Sequence, residues 1–313
     1  MKKVLSILTI ATISATSLFA QDMESATSMY NEGVTALNAG DKVTAIGYFE
    51  EALGQAAIIG PEADELAYNC QRNIPTLLNA IGKELAAAND IDSAVVVLNQ
   101  AIAKAEEYGQ NDLAAEAITL IPQLYMQQGN LFLNQKDYAA AVESYKKVVE
   151  ANPNDAVGYL RLGQAARRVD DIETALTALT KASELGQKSA ADKEIATLYL
   201  TMSNTELKAK NFESALEYAQ KANEILPNPT AMQIAGTAAL QLKNYAAAIE
   251  NFEGFIAASP NARNIDQIRY QLATAYEATG DKTNACVNYK AILNNPQFAE
   301  YAKHKVDNEL KCQ

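Results

Sequence analysis

The chain has 313 residues, almost half of them apolar, with three cysteines, one histidine and no tryptophan. Its 26 basic residues are outnumbered by 38 acidic ones, a net charge of −12. Such a surface repels nucleic acid and anionic membrane, so neither is expected as a partner.

The first element in chain order is a leader. Lys2 and Lys3 precede an apolar run from Val4 to Phe19 broken only by Ser and Thr, the pattern of a secretory signal peptide over residues 1–20. Cleavage after Ala20 leaves Gln21 as the mature N-terminus, with Leu18 larger than the usual small residue at the minus-three position. The run is too short and too polar for a membrane span. The first cysteine is Cys70, too distant for lipid anchoring at the cleavage site. Without residues 1–20 the balance is 24 basic against 38 acidic residues. The expected location is periplasmic or secreted, by the general export route and not as a lipoprotein.

From Ala26 onward one pattern returns seven times. Its clearest copy runs Tyr125, Gln128, Gly129, Phe132, then Asp137, Tyr138, Ala141, Val142, Tyr145, Val148 and Pro153. The next fills the same offsets with Tyr159, Leu162, Gly163, Ala166, Asp171, Ala175, Leu179 and Ala182, thirty-four residues on. Periods of this length mark stacked helix pairs. The alanine opening each second helix is Ala45, Ala94, Ala141, Ala175, Ala215, Ala248 and Ala285. The facing small residue on the first helix is Gly33, Gly82, Gly129, Gly163, Ser203, Gly236 and Ala273. Small side chains at both offsets let two helices approach, and Phe49, Leu98, Tyr145, Leu179 and Phe252 fill the space left.

This framework resembles the tetratricopeptide repeat. The resemblance implies an all-α, right-handed α-solenoid of about seven helix pairs with a C-terminal capping helix. Taking the family's first position as the start, repeats begin near 26, 75, 122, 156, 196, 229 and 266, and the cap covers 298–310. Residues 21–313 then form one domain, with no linker of Gly, Ser or Pro to divide it. The first two steps are long. Leu66, Cys70, Ile74, Leu77 and Ile81 keep helical spacing across Pro75, and Leu113, Ala117, Leu120 and Leu124 do so across Pro122. Either a first helix continues through the proline, at a cost of roughly 3 kcal/mol before packing, or a short helix precedes the repeat. The extra turns are either a dedicated contact surface or merely long repeats.

Catalytic chemistry finds little to build on. With His304 alone and scattered cysteines, no zinc set and no Ser-His-Asp triad can be assembled, and no phosphate loop or nucleophile elbow is present. Asn152, Pro153, Asn154 and Asp155 read as turn residues rather than a calcium loop. Neither catalytic residues, a metal nor a cofactor is expected, and the chain is read as a non-enzyme. Cys70 lies on an apolar stripe and reads as an inert thiol. Cys286 and Cys312 are the candidate disulfide, closing a loop of roughly 25 residues for ~3 kcal/mol in an oxidising compartment; the alternative is two unrelated thiols.

The resemblance assigns the concave groove to one stripe of each first helix. There the middle of the array places Asn130, Asn134, Gln164, Arg168, Asn204 and Lys208, with Arg167 adjacent. Repeated amides offer a donor and an acceptor at each step to an extended peptide, and the cations favour a carboxylate. Met126 stands where the family's carboxylate clamp has lysine, so that clamp is not carried over. Tyr30 and Tyr270 alone among the aromatics fall on the groove offset, too few for a glycan platform. The expected function is a protein-interaction scaffold of the cell envelope that binds a peptide segment of a partner protein. The alternatives are a self-assembling homo-oligomeric structural component and a soluble glycan or small-ligand binder.

Overall fold

The computed structural model describes residues 23–313; the expected leader, residues 1–20, lies outside them. The described residues are mostly helical, with no strand among them. Contacts cluster into two compact units, one ending at Gly158 and the other spanning Tyr159–Gln313.

The first unit holds α1 (Met23–Asn38), α2 (Lys42–Ile59), α3 (Asp64–Ala87), α4 (Ile91–Glu107), α5 (Asn111–Gln135) and α6 (Tyr138–Ala151), followed by the start of α7 (Ala156–Arg168). The helices pack as antiparallel pairs, α1 with α2, α3 with α4 and α5 with α6, and α2 and α4 also meet the first helix of the next pair. Both prolines left open by the sequence lie inside unbroken helices, Pro75 within α3 and Pro122 within α5. The second unit contains the rest of α7, then α8 (Ile172–Ala182), α9 (Lys188–Ala209), α10 (Phe212–Ile225), α11 (Pro229–Gln241), α12 (Tyr245–Ala258), α13 (Ile265–Ala278), α14 (Lys282–Ala291) and α15 (Ala299–His304).

Pairing follows from the small residues. A Cβ added to Gly33, Gly82, Gly129, Gly163 or Gly236 would come within 2.5–2.7 Å of Phe49, Leu98, Tyr145, Leu179 or Phe252. The second helix therefore lays its largest side chain on bare backbone, and Phe49, Leu98, Tyr145, Leu179 and Phe252 are all 0% exposed. Where the second helix carries Ala219 instead, the first helix carries Ser203, which is fully buried and donates its hydroxyl to the Leu200 carbonyl at 2.8 Å. In this pair the larger first-helix residue accompanies the smaller second-helix one, as close packing favours.

The turn inside each pair is built one way. A residue with positive φ ends the first helix: Gly40, Asn89, Lys136, Asp170, Lys210, Lys243 and Gly280. The next residue's N–H reaches back to a carbonyl five residues earlier, as in Asp41 to Ala36, Asp137 to Phe132 and Asn244 to Ala239. That is the six-to-one bond of a Schellman ending. The same Asp or Asn then caps the second helix, with Asp41, Asp90, Asp137, Asp171, Asn244 and Asp281 accepting from the backbone N–H three residues on.

At the C-terminus α15 continues into a π-helical turn, Lys305–Glu309, so the expected cap over 298–310 is present but broken in its hydrogen-bond pattern. Ala302 and Val306 bury against a core that includes Tyr276, Ala285, Tyr289 and Ile292. Cys286 and Cys312 are disulfide-bonded with Cα atoms 5.7 Å apart, tying the chain end to α14. Lys305 is nearly buried and bonds Glu277 at 2.7 Å and Glu309 at 2.6 Å. Burial alone would lower its pKa, but the two carboxylates outweigh burial and hold the ammonium above its ordinary range.

Candidate functional site

The candidate residues divide between the units. In the first, Asn130 and Asn134 lie one turn apart on α5. Asn130 is half-buried, and its Oδ1 accepts from the buried Tyr145 hydroxyl at 2.8 Å. Its carbonyl oxygen is thus part of the α5/α6 contact, while Asn134 is exposed.

In the second unit α7 supplies Gln164, Arg167 and Arg168, and α9 supplies Asn204 and Lys208. Gln164 donates from Nε2 to Glu194 Oε1 at 3.1 Å, and Arg167 Nε lies 3.2 Å from Glu194 Oε2. Arg161 also reaches Gln164, donating to its Oε1 at 3.2 Å. Glu194 therefore ties two of the expected groove residues to α9 and offsets the charge of Arg167. Sequence reasoning missed it because it precedes the repeat start at 196. The clue was the longer step from 156 to 196, which the structure explains: α9 begins at Lys188, two turns early. Arg168, Asn204 and Lys208 are exposed.

The early turns of α5 are also used. Arg72 of α3 donates to Gln110 Oε1 at 2.8 Å and pairs with Asp112 at 3.1 Å, Asn79 donates to the Leu113 carbonyl at 2.9 Å, and Lys83 pairs with Glu116 at 2.5 Å. The Arg72 hydrogen bond holds the Asp112 carboxyl below its usual range. One side of this extension thus docks on α3. Further along α5, Ile118, Thr119, Pro122, Gln123 and Met126 line a pocket of about 500 Å³, closed on the other side by Ala151, Asn152 and Asp155 at the α6–α7 turn.

The remaining reactive groups sit in bland settings. Cys70 is fully buried, and burial pushes its thiol up to about 11. His304 is exposed on α15, with Nε2 3.3 Å from Glu309. Tyr30 packs on Phe49 with ring centroids 5.3 Å apart, and Tyr270 stacks on Phe298 at 5.2 Å, so both aromatics expected to face the groove are engaged in packing. Among the described residues no group of three or more His, Cys, Asp or Glu could hold a metal ion. No helix among them is long and apolar enough to cross a membrane.

Paired helices, small residues facing large ones, and one repeated turn define a helix-pair repeat protein. Tetratricopeptide-repeat models match residues 122–155, 200–263 and 267–297, so these stretches of the chain are tetratricopeptide repeats. No protein of curated function matches it. Among solved structures, MamA is 22% identical at a TM-score of 0.37, covering 60% of this chain and 95% of its own. YrrB, described as a TPR protein with an unusual peptide-binding site, is 18% identical at 0.36, over 57% of this chain and 90% of its own. A thermophilic TPR protein of Thermus thermophilus is 16% identical at 0.27, over 61% and 99%.

Proposed function

We propose that this protein is a non-enzymatic interaction scaffold of the bacterial cell envelope, exported by residues 1–20, that binds a peptide segment of a partner on the polar faces of its first helices. The observation carrying this reading is the division of labour within each pair. The second helices bury their large side chains on first-helix glycines, while Asn134, Arg168, Asn204 and Lys208 stand exposed on first helices. Amides and cations at helical spacing suit an extended backbone and its carboxylates. The Cys286–Cys312 bond supports an oxidising compartment.

The test is chemical crosslinking in the exported fraction, comparing wild type with an Asn134→Ala/Asn204→Ala/Lys208→Glu variant. These side chains are exposed, so the fold is retained; Asn130→Ala is avoided because it strands the buried Tyr145 hydroxyl. Loss of the crosslinked partner is expected. Unchanged partner recovery rejects these faces as the binding surface.

A further inference from the structure

The pocket on α5 exists because α5 is longer than a repeat requires. Its first turns, docked on α3, carry Ile118 and Thr119 beyond the repeat start at Pro122, and these residues form one wall. Ile118 is 50% exposed, and Pro122 and Met126 extend its apolar surface along the same side of α5. Pro122 has no N–H, so it gives no hydrogen bond to the Ile118 carbonyl one turn back. The pyrrolidine ring itself crowds that carbonyl, so the wall is chiefly apolar.

The opposite wall is polar. Asp155 uses Oδ1 to accept from the Gly158 N–H at 2.8 Å, capping the start of α7, and Oδ2 takes no part in that cap. Asn152 accepts from the Asn154 N–H at 3.2 Å through its side-chain oxygen. The two segments that build the pocket are devoid of positive charge: residues 105–135 and 148–160 contain no Lys, Arg or His but hold Glu106, Glu107, Asp112, Glu116, Glu150 and Asp155. Of these, Asp112 and Glu116 are met by Arg72 and Lys83 of α3 and Glu107 by Lys104, and Asp155 is the one that lines the pocket. On neighbouring α6, Lys146 bonds Glu143 and Lys147 lies over the Tyr125 ring.

We infer that this pocket is an anchor site for a partner segment that presents one aliphatic side chain beside a lysine or arginine. The aliphatic group buries against Ile118, Pro122 and Met126, and the cation pairs with Asp155. At about 500 Å³ the space holds a side chain and its flanking backbone, not a folded domain. A second copy of this chain, at a net charge of −12, is a poorer occupant than a basic segment. The inference rests on the peptide-binding reading above and gives it a place and a specificity.

Selection of phage-displayed random dodecapeptides on the full chain tests it. Enriched peptides are expected to share an aliphatic residue next to Lys or Arg, and to lose affinity by about tenfold or more on Ile118→Glu and Met126→Glu variants whose circular dichroism is unchanged. Asp155→Asn keeps an acceptor for the Gly158 N–H and removes the charge. It is expected to select peptides that retain the aliphatic position and lose the basic one. If peptides enriched on wild type bind the two glutamate variants equally well, the pocket is rejected while peptide binding stands. If no peptide is enriched over uncoated support, both fall. Concentration-dependent light scattering that Met126→Glu abolishes would instead give the pocket to a second copy and overturn the inference.

Discussion

Five of the residues that end the first helices with positive φ are not glycine: Asn89, Lys136, Asp170, Lys210 and Lys243. A side chain in the left-handed region is strained by roughly 1–2 kcal/mol, relieved in part for Asn and Asp. Lys136→Gly is therefore expected to raise stability by about 1 kcal/mol, and Lys136→Val to lower it by a similar amount or more, read from urea unfolding midpoints. The helical glycines separate into two kinds. Gly236 faces Phe252 at 2.6 Å, so Gly236→Ala is expected to cost ~1–3 kcal/mol despite alanine's better helix propensity. Gly54, also helical, has nothing within 4 Å of its added Cβ, and Gly54→Ala should gain ~0.5–1 kcal/mol in the same assay. Equal effects of the two alanines would contradict the packing described for each pair.

At the scale of elements, the pairs themselves were legible because each needs a small residue and a large one at fixed offsets, and both are visible in sequence. What sequence left undecided was whether Pro75 and Pro122 break their helices. Helical spacing of apolar residues runs through both prolines, and it is this spacing, buried in the structure at Cys70, Ile74, Leu77 and Ile81, that keeps α3 whole. The side-chain partners were not legible: Glu194 on Gln164 and Arg167, or Tyr145 on Asn130, depend on which helices lie side by side. The C-terminal cap gives the prediction at this scale. Cys312→Ser removes a closed loop of 26 residues and is expected to cost up to ~3 kcal/mol. The loss should appear as faster amide exchange at Ala302 and Val306, with the exchange of α1 to α4 unchanged. Unaltered exchange across the cap would show that Lys305 and the apolar contacts hold it unaided.

For the molecule as a whole, charge governs stability against pH. Asp112 is held below its ordinary value by the Arg72 hydrogen bond, Asp281 by the Asn284 backbone N–H, and Glu309 by Lys305. Each lowered value means stability that is complete above the ordinary carboxylate range and is lost as pH falls through the folded-state pKa. The melting temperature should therefore hold through neutral pH and begin to fall below about pH 4.5. Glu50 runs the other way: burial pushes its pKa up, Lys104 partly counters this, and Glu107 adds to it. Its ionisation opposes folding, so Glu50→Gln should raise the melting temperature at pH 7 and leave it unchanged near pH 3, where the carboxyl is already neutral. The central claim is that first helices bind and second helices support them. Hydrogen–deuterium exchange of the full chain with and without a saturating selected peptide tests it most directly. Slower exchange on α5 and at the α6–α7 turn, with α4 and the body of α6 unchanged, is the predicted result; protection along the body of α6, or none at all, would contradict it.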